Sequence, residues 1–350
     1  MSDFSLLLTH GLQRIDANQS GSYYLVNVDF SDAFYGLSDK KIYTPYYHQA
    51  EKWINVGAEI LPHILTEQKN AQKFDYALCS LTKQKLSAQY DLAQAYTALN
   101  NDGILMAVAA NNAGGKRLTQ WFEALELEHI QSYSKYKAKV VWGTKPQQSL
   151  DSATAQEWLS AGKMQRKILP DEKPYTTQAG LFGWDKIDGG SHLLIQEIQN
   201  NFAHNMTGDI GDFGCGYGYL STQLVAACPH IKSMHLIDID RRALQCAQDN
   251  IKGFLGDVHL YWADLTRPAI TDLPLLDHIV MNPPFHDDKK TAYSIGQACI
   301  QSAYDALKIG GGLYMVANAH LPYEKFIEGL FRQSAKICEK TGFKIFYAIK

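Results

Sequence analysis

The sequence lacks the long apolar segments that define membrane and secreted proteins. After an early Asp3, the amino terminus offers only the apolar run 6–8, which is too short for the core of a secretory signal. No stretch approaches the roughly 20 apolar residues that a membrane-spanning helix needs. We therefore expect a cytoplasmic protein without a membrane partner.

Cysteine spacings typical of disulfide frameworks or zinc sites are also missing. The six cysteines stand at positions 79, 215, 228, 246, 299 and 338. Their spacing predicts reduced thiols in the cytosol and no bound metal. Cys215 lies inside a glycine-rich turn, where a small side chain packs. No histidine pattern accompanies Cys215 that would activate it as a nucleophile.

The chain has no excess of basic charge. Its 350 residues carry 33 Lys and Arg against 36 Asp and Glu, a formal net charge of −3. A nucleic-acid partner would therefore have to bind a local basic patch. With 46% hydrophobic and 20% charged residues, the composition is that of an ordinary globular protein, and the length predicts two domains.

A glycine-rich turn follows an apolar strand in the second half of the chain. The segment 208–213 predicts a strand, and a helix begins near Tyr219. Between them, Gly214, Gly216 and Gly218 allow positive φ and let the backbone approach a ligand closely. A dinucleotide fingerprint would need glycine at position 219, so Tyr219 argues against NAD or FAD as the ligand.

Three carboxylates follow the ends of the next two predicted strands. Asp238 and Asp240 come after strand 234–237, where a carboxylate can accept both hydroxyls of a ribose, and Asp238 is the better candidate. Asp264 comes after strand 258–262 and can accept a hydrogen bond from an adenine amino group. Taken singly, each acid is more simply explained as a helix cap or turn residue. Their order at successive strand ends is typical of a nucleoside-binding α/β sheet.

The segment Asn282-Pro283-Pro284-Phe285 is the most informative motif. It follows the apolar run 275–280, which predicts a buried strand. The Asn282 side-chain carbonyl and a proline backbone carbonyl can accept both hydrogens of one NH2 group and leave its lone pair pointing outward. The prolines fix φ, and Phe285 offers a ring face to a base. An ordinary Asn-Pro turn has the same composition, but the glycine turn upstream favours a nucleobase amine that attacks an electrophile.

Together these segments resemble class I S-adenosylmethionine-dependent methyltransferases that act on exocyclic amines. Residues 212–218 are similar to their first cofactor motif, and residues 282–285 are similar to their catalytic motif. The resemblance implies S-adenosylmethionine as the cofactor and catalysis by Asn282, Pro283, Pro284 and Phe285. The expected cofactor-binding residues are Asp212, Gly214, Cys215, Gly216, Gly218, Asp238, Asp240, Asp264 and Asn282. The motif alone does not separate guanine N2, adenine N6 and glutamine-amide methylation.

A narrower resemblance, to the rRNA guanine-N2 methyltransferases, covers residues 180–350 in detail. Its motifs are 180–182, 188–191, 282–287, 316–324 and 343–348. It implies transfer to the N2 amine of a guanine in 16S rRNA, conventionally guanine 1207, by an expected monomer acting on the assembled small ribosomal subunit. Enzymes of 23S rRNA share most of these motifs, although Leu321-Pro322-Tyr323 favours the small subunit. The alternative that is not an enzyme is a ribosome-binding factor without catalytic activity.

The first half of the chain repeats the pattern of the second half. Residues 74–78 parallel 276–280, and residues 95–99 parallel 303–307. Where the second half has the catalytic motif, the first has Ser80-Leu81-Thr82-Lys83, and it lacks a Gly-x-Gly-x-Gly run. Any two α/β halves share short apolar matches, so chance similarity is the alternative explanation.

We therefore expect an α/β protein with two tandem Rossmann-like class I methyltransferase domains, the first of them degenerate. Residues 1–145 would form the degenerate domain, with a structural or RNA-binding role. Residues 146–175 would form a linker, because proline and polar clusters mark loops. Residues 176–350 would form the catalytic domain.

Candidate RNA contacts adjoin the catalytic motif. They are Phe285, His286, Lys289 and Lys290. Two further basic clusters are more simply explained as solvated faces. These clusters are Lys135, Lys137 and Lys139 around Tyr136, and Lys163, Arg166 and Lys167. Phe182 and Trp184 can flank the cofactor or close over the base, or belong to the core.

Overall fold

The computed structural model describes residues 2–15, 21–63, 72–147, 152–267, 270–284 and 289–350, and for residues 289–292 it describes the backbone. Within these ranges the chain divides into two compact units, Met1–Lys163 and Met164–Lys350. Each unit is built on its own mixed sheet with helices packed against it. The predicted α/β class is therefore confirmed.

The first unit contains a six-stranded sheet in the order β2-β1-β3-β4-β6-β5. Its strands are β1 (Tyr23–Val26), β2 (Lys40–Tyr43), β3 (Phe74–Ser80), β4 (Leu99–Ala110), β5 (Glu128–Lys135) and β6 (Ala138–Thr144). Its helices are α1 (Asp3–Arg14), α2 (Asp32–Tyr35), α3 (Tyr47–Ile54), α4 (Lys85–Ala98), α5 (Leu118–Ala124) and α6 (Ala153–Gly162). Strands β1 to β4 are parallel, and β6 is antiparallel to both of its neighbours.

The second unit contains a seven-stranded sheet in the order β11-β10-β9-β12-β13-β15-β14, beside the separate hairpin β7-β8. Its strands are β7 (Gln165–Ile168), β8 (Pro174–Thr177), β9 (Gly208–Phe213), β10 (Ile231–Asp238), β11 (Asp257–Trp262), β12 (Leu276–Met281), β13 (Leu307–Asn318), β14 (Gln333–Lys340) and β15 (Phe343–Ile349). Its helices are α7 (Gly189–Asn201), α8 (Tyr219–Ala227), α9 (Arg241–Asn250), α10 (Lys289–Ala306) and α11 (Glu324–Leu330). In the seven-stranded sheet, β15 runs against both of its neighbours.

Apolar layers cover both faces of the second sheet. Along β12, Val280 joins a core cluster with residues of α7, α8 and α9, whereas Ile279 and Met281 join a cluster with residues of α10. Successive side chains of a strand point to opposite faces, so a central strand covered on both sides must be apolar throughout. This explains why the buried end of β12, residues 279–281, is an uninterrupted apolar run.

The two sheets share details that go beyond fold class. The pairing register shifts between Phe74 and Tyr76 in β3 and between Leu276 and His278 in β12. The first sheet has the strand order of the second, with β1 at the position of β9 and β2 at the position of β10, and among the described residues no strand stands at the position of β11. An irregularity at the same place in equivalent strands indicates a true internal repeat.

Lys145, after β6, and Lys350, after β15, make the same kinds of contact in the two units. The Lys145 ammonium donates to the backbone carbonyls of Tyr96 and Leu99, and it lies 4.6 Å from the centre of the Tyr96 ring. Lys350 donates to the carbonyl of Leu307 and lies 4.7 Å from the centre of the Tyr304 ring. Cations stabilise the carbonyl end of a helix, and these lysines cap the ends of α4 and α10.

The first unit lacks the glycine turn of the second. After β1, Asn27 adopts a φ of 55°, and its side-chain amide donates to the buried carboxylate of Asp91 over 2.9 Å. The hydrogen-bonded side chains of Asn27 and Asp91 therefore lie at the position that the glycine turn has in the second unit. This arrangement agrees with the predicted degenerate character of the first domain.

The segment 146–175, predicted as a linker, contains ordered elements. Helix α6 packs against α4, and its buried Trp158 lies edge-on against Trp121 of α5, at 6.3 Å between ring centres. Strand β7 then pairs with β8. The division between the two compact units falls inside this segment, after Lys163.

Two equivalent glycines supply a test of the repeat. A Cβ on Gly103 would lie 3.2 Å from the Asp75 carbonyl oxygen, and a Cβ on Gly311 would lie 2.8 Å from the Asp277 carbonyl oxygen. We expect Gly103→Ala and Gly311→Ala each to lower the free energy of unfolding by about 1–3 kcal/mol, because the backbone must shift. Gly253→Ala, with no atom within 4 Å of its Cβ, is the control and should change little. Denaturant titration measures all three, and equal stabilities would contradict the close approach.

Candidate active site

The glycine turn after β9 is held by the end of β10. The backbone N–H groups of Gly214 and Cys215 both donate to the Ile237 carbonyl, over 2.8 and 3.0 Å. The Gly216 N–H donates to the Asp238 carboxylate over 2.8 Å. Gly214 and Gly216 have φ values of 75° and 54°, and a Cβ on either would meet no described atom within 4 Å. The turn therefore presents bare backbone to open space, where a ligand can approach closely.

The end of the turn is packed rather than open. A Cβ on Gly218 would lie 2.8 Å from the Cα of Ala247 in α9. Tyr219, the first residue of α8, is buried, and its hydroxyl lies 3.0 Å from Nδ1 of His192 in α7. Burial raises the pKa of the Cys215 thiol well above its usual range, so the thiol is protonated at neutral pH.

Asp212 keeps one acceptor without a protein partner. Its Oδ2 accepts from the Ser221 backbone N–H over 3.1 Å and from the Ser221 hydroxyl. Its buried Oδ1 has no hydrogen-bond partner among the described residues. Burial raises the pKa of Asp212 to about 6. An unpaired buried acceptor is costly, and a donor on a bound ligand would satisfy it.

Asp238 has room for the two hydroxyls that the sequence predicted for it. Oδ1 accepts from the Asp240 N–H and Oδ2 from the Gly216 N–H, each over 2.8 Å. Because each carboxylate oxygen has two lone pairs, each keeps one acceptor position. Burial raises the pKa of Asp238 to about 7, and the nearby Asp240 charge adds to the effect.

Asp240 is used by the protein itself. Its Oδ1 accepts from the Arg242 backbone N–H over 2.9 Å, and its Oδ2 accepts from the Arg242 guanidinium over 2.6 Å. Asp240 thus caps the N-terminus of α9, as the simpler explanation had it. Asp238, the better candidate from the sequence, stays the predicted acceptor for a ribose.

Asp264 closes a turn after β11 while keeping acceptor capacity. Its Oδ1 accepts from the Thr266 N–H over 2.9 Å and from the Thr266 hydroxyl over 2.7 Å, and the Arg267 Nε lies 3.7 Å from Oδ2. An aspartate that bonds the backbone two residues ahead forms an Asx turn. Oδ2 can still accept a hydrogen bond from a neighbouring ligand.

Sequence reasoning missed the aromatic side chain of Trp262, which lies near these acids. The Trp262 indole N–H donates to the Ile239 carbonyl over 3.0 Å, and the Arg241 guanidinium lies 3.8 Å from the centre of the Trp262 ring. Ile239, between the two carboxylates after β10, is exposed. Trp262 ends the predicted strand that precedes Asp264, so an aromatic at a strand end was the available signal.

The Asn282 amide is oriented by the start of α7. Its Nδ2 donates to the Asp188 carboxylate over 2.9 Å and to the Ser191 hydroxyl over 2.7 Å. Asp188 is the N-cap of α7 and also accepts from the Ser191 N–H over 2.8 Å. An ionised carboxylate only accepts hydrogen bonds, so the NH2 group must face Asp188 and the amide oxygen must face away. No described residue donates to that oxygen, which leaves an acceptor held in a fixed direction.

The remaining predicted residues are placed as follows. Phe285 and His286 lie outside the described residues, and only the backbone of Lys289 and Lys290 is described, at the start of α10. Pro283 is buried and Pro284 exposed. Phe182 is 55% exposed, whereas one face of Trp184 is covered by the Lys167 ammonium at 4.1 Å.

Two classes of feature are not found in the described ranges. No three His, Cys, Asp or Glu side chains there are grouped so that they could hold a metal ion. No helix in the same ranges is long and apolar enough to cross a membrane.

The family model described as the methyltransferase small domain matches residues 173–347, half of the chain. This protein belongs to the methyltransferase small domain family. The matched region contains the glycine turn, the strand-end acids and the Asn-Pro-Pro motif. The predicted resemblance to S-adenosylmethionine-dependent methyltransferases is thereby confirmed at the level of the family.

Relatives extend the likeness over most of the chain. Ribosomal RNA small subunit methyltransferase C of Acinetobacter baumannii is 28% identical over 316 residues, which are 89% of this chain and 88% of that protein. The protein of the same name from Shewanella amazonensis is 28% identical over 281 residues, 79% of this chain and 77% of its own. The solved T. thermophilus 16S rRNA N2 G1207 methyltransferase, in complex with AdoMet and guanosine, has a TM-score of 0.79 at 20% identity and covers 98% of this chain and 92% of its own. The predicted fold of two tandem methyltransferase-like domains is confirmed.

The half-buried Asp238 supplies a prediction on stability. Its pKa rises from 3.8 to about 7 in the folded protein, so the folded state holds the proton more tightly than the unfolded chain. Its stabilising contribution is complete below about pH 4 and is lost as the pH rises through about 7. We expect Asp238→Asn, which cannot ionise, to remove this part of the fall in unfolding free energy. The exposed Asp257→Asn is the control, and an unchanged pH profile in Asp238→Asn would contradict the raised pKa of this carboxylate.

Proposed function

We propose that this protein transfers the methyl group of S-adenosylmethionine to the exocyclic N2 amine of a guanine in 16S rRNA, conventionally guanine 1207. The observation that carries the proposal is the Asn282 amide, whose oxygen is held as an acceptor without a described donor at the strand end beside the glycine turn. The names of the curated relatives, and the AdoMet and guanosine bound to the solved T. thermophilus enzyme, support the same substrate and cofactor.

The residues around the glycine turn fit S-adenosylmethionine. Bare backbone at Gly214 and Gly216 leaves space for its methionine part, and the unpaired Asp212 oxygen can accept a hydrogen bond there. Asp238 would hold the ribose hydroxyls and Asp264 the adenine amine. When bound, the cofactor supplies a methyl group attached to a positively charged sulfur, and the carbon of that methyl group is open to attack by a lone pair.

Asn282 would act by positioning the target amine. Its side-chain oxygen and the Pro283 carbonyl accept the two amine hydrogens, which directs the nitrogen lone pair toward the methyl group. The guanine must leave its stack to reach the pocket, and Phe285 would stack on it. The methylated nitrogen carries a positive charge that the two acceptors stabilise until a proton leaves. Much of the rate gain then comes from orientation.

Asp188 and Ser191 would keep the Asn282 amide from turning over. An inverted amide would present hydrogens to the substrate amine, which also donates, and the pair would repel. The hydrogen bonds from the Asn282 NH2 group exclude this orientation because the Asp188 carboxylate cannot donate. Asp188 is therefore a positioning residue, while Asn282 touches the substrate.

The proposal extends to the form of the substrate, the oligomeric state and location of the enzyme, and the roles of its domains. We propose that the substrate is the assembled small subunit, and that the enzyme is a cytoplasmic monomer. Residues 176–350 would catalyse, residues 1–145 would support folding and contact RNA, and residues 146–175 would connect them. The name shared by the curated relatives supports the small subunit.

The test offers labelled S-adenosylmethionine to unmethylated small and large ribosomal subunits separately, followed by mass spectrometry of the nucleosides. We expect N2-methylguanosine from the small subunit alone. The same product from the large subunit would move the substrate to 23S rRNA. Methyladenosine would overturn the target base. Transfer to neither RNA would favour a protein glutamine substrate or a non-catalytic ribosome-binding role.

Asn282→Ala should separate chemistry from cofactor binding. We expect methyl transfer to fall at least about 10²-fold, because the amine loses an oriented acceptor, with a nearly unchanged cofactor dissociation constant. Asp238→Ala should instead weaken cofactor binding. Calorimetry with the cofactor and single-turnover transfer measure the two properties, and equal loss of both in Asn282→Ala would contradict this division of roles.

Asp188 should affect turnover without touching either substrate. We expect Asp188→Ala to lower kcat by about 10-fold to 10²-fold with an unchanged cofactor dissociation constant, because the Asn282 amide is released. Asp188→Asn keeps an acceptor oxygen and a good N-cap, so it should recover most of the activity. Assays are run well below the melting temperature of each variant. Equal activities of the Ala and Asn variants would show that Asp188 does not orient the amide.

A further inference from the structure

A cluster of cations lies around the turn of the β5–β6 hairpin in the first unit. We call it the basic hairpin surface. Its members are Lys116, Arg117, Lys135, Lys137 and Lys139. The Asn111 N–H donates to the Lys137 carbonyl over 2.8 Å, which ties the end of β4 to the hairpin turn. The Lys139 ammonium donates to the Thr119 hydroxyl over 2.6 Å, which ties the hairpin to α5.

The cations of the basic hairpin surface have no carboxylate partner among the described residues. Among the residues that the structure describes, none of its five cations forms an ion pair with a carboxylate. Four of the five are exposed, and Lys139 is half-buried. A cluster of uncompensated cations is unexpected in a chain with a net charge of −3, because acids are available in excess.

The equivalent hairpin of the second unit shows the contrast. Lys139 pairs with Ala109 in the register of β4 and β6, as Lys344 pairs with Ala317 in β13 and β15. Lys344 forms an ion pair of 2.7 Å with Glu324, at the start of α11. At the start of α5 the partner of Lys139 is a threonine hydroxyl instead.

The other lysines of the second hairpin are also paired. Lys336 lies 2.7 Å from Glu339, and Lys340 lies 3.9 Å from Glu197. The same hairpin thus carries paired lysines in the catalytic unit and lysines without a described carboxylate partner in the degenerate unit. The two hairpins share their backbone arrangement and differ in whether acidic side chains stand beside the lysines.

The hairpin turn keeps a lysine where glycine would be easier. Tyr136 and Lys137 have φ values of 54° and 55°, and the equivalent turn has Thr341 at 51° and Gly342 at 84°. A side chain in the left-handed region is strained relative to glycine. The turn of the basic hairpin surface therefore keeps a lysine at position 137 despite the backbone strain. Tyr136 beside it is 46% exposed, with the Lys135 ammonium 4.8 Å from its ring centre.

We infer that the basic hairpin surface binds the phosphate backbone of the RNA substrate. The inference rests on the proposed function, which supplies an RNA as the partner. Lysine and arginine contacts to phosphates fix the position of an RNA without reading its sequence. The exposed Tyr136 ring adds a face on which an unpaired base can stack. Affinity would come from this surface, and the choice of base from the pocket at Asn282.

The test compares two matched sets of variants on the full chain. The first set is the triple variant Lys135→Gln, Lys137→Gly and Lys139→Gln. Its control is Lys336→Gln with Lys340→Gln in the paired hairpin. The probe is unmethylated 16S rRNA, and the readouts are its dissociation constant at several salt concentrations, the KM and kcat for transfer, and the cofactor dissociation constant.

We expect the triple variant to bind RNA at least about 10-fold more weakly, with a salt dependence shallower by about one unit for each phosphate that is no longer bound. KM should rise, while kcat at saturating RNA and the cofactor dissociation constant stay unchanged. The control variant should bind like the wild type. Lys137→Gly alone should weaken RNA binding while raising the melting temperature, because the strained residue is replaced. A folding defect cannot produce that combination.

The outcomes separate this inference from the proposed function. If the wild type methylates 16S rRNA and the triple variant keeps its affinity and salt dependence, the inference is wrong and the function stands. If the triple variant loses affinity for the assembled subunit but not for naked rRNA, the surface contacts a ribosomal protein and the inference is wrong. If the wild type binds rRNA through this surface but transfers no methyl group, the function fails and the inference stands.

Discussion

The pairing of β9 with both β10 and β12 is the constraint on which the candidate site depends. Phe213, the last residue of β9, is in register with Ile237 on one side and Met281 on the other. The next residues along the three strands are Gly214, Asp238 and Asn282. Neighbouring strands are about 4.8 Å apart, so Asp238 and Asn282 emerge about 10 Å from each other with the glycine turn between them. A shift of one residue in either pairing would turn one of these side chains to the wrong face.

The site keeps polar groups that the fold alone would not favour. Asp212 and Asp238 are carboxylates whose pKa values rise to about 6 and about 7 because burial disfavours the charged form. Asn282 adds an amide oxygen without a described donor. A core of apolar side chains would be more stable, so these acceptors are better explained by a ligand that brings several donors. The methyl donor and the target amine together supply donors of this kind.

The sequence predicted the four strands that lead to the candidate site, the glycine turn and the strand-end acids, because periodicity and glycine spacing are local. It favoured Asp238 over Asp240 for the ribose but could not exclude Asp240, since both follow the same strand. Only the fold shows that the Asp240 carboxylate accepts hydrogen bonds from Arg242. The link between Asp188 and Asn282 was also out of reach, because the two residues are 94 positions apart and only the folded chain brings them together. Helix α6 lay in a segment whose prolines and polar residues indicated a linker, and burial against α4 overrode that local preference.

The internal repeat separates what the shared fold requires from what each half has changed. Equivalent lysines at 145 and 350 cap equivalent helices, so both halves keep the contacts that hold a sheet to its helix. The halves differ where a ligand would bind. In the first, Asn27 donates to the buried carboxylate of Asp91 where the second has its glycine turn, so the backbone there carries a side chain instead of a bare glycine. That half has no glycine turn, and the cations on its hairpin have no carboxylate partner among the described residues. The proposed division of labour rests on this difference, because binding phosphates needs only accessible charge, whereas methyl transfer needs acceptors fixed in direction.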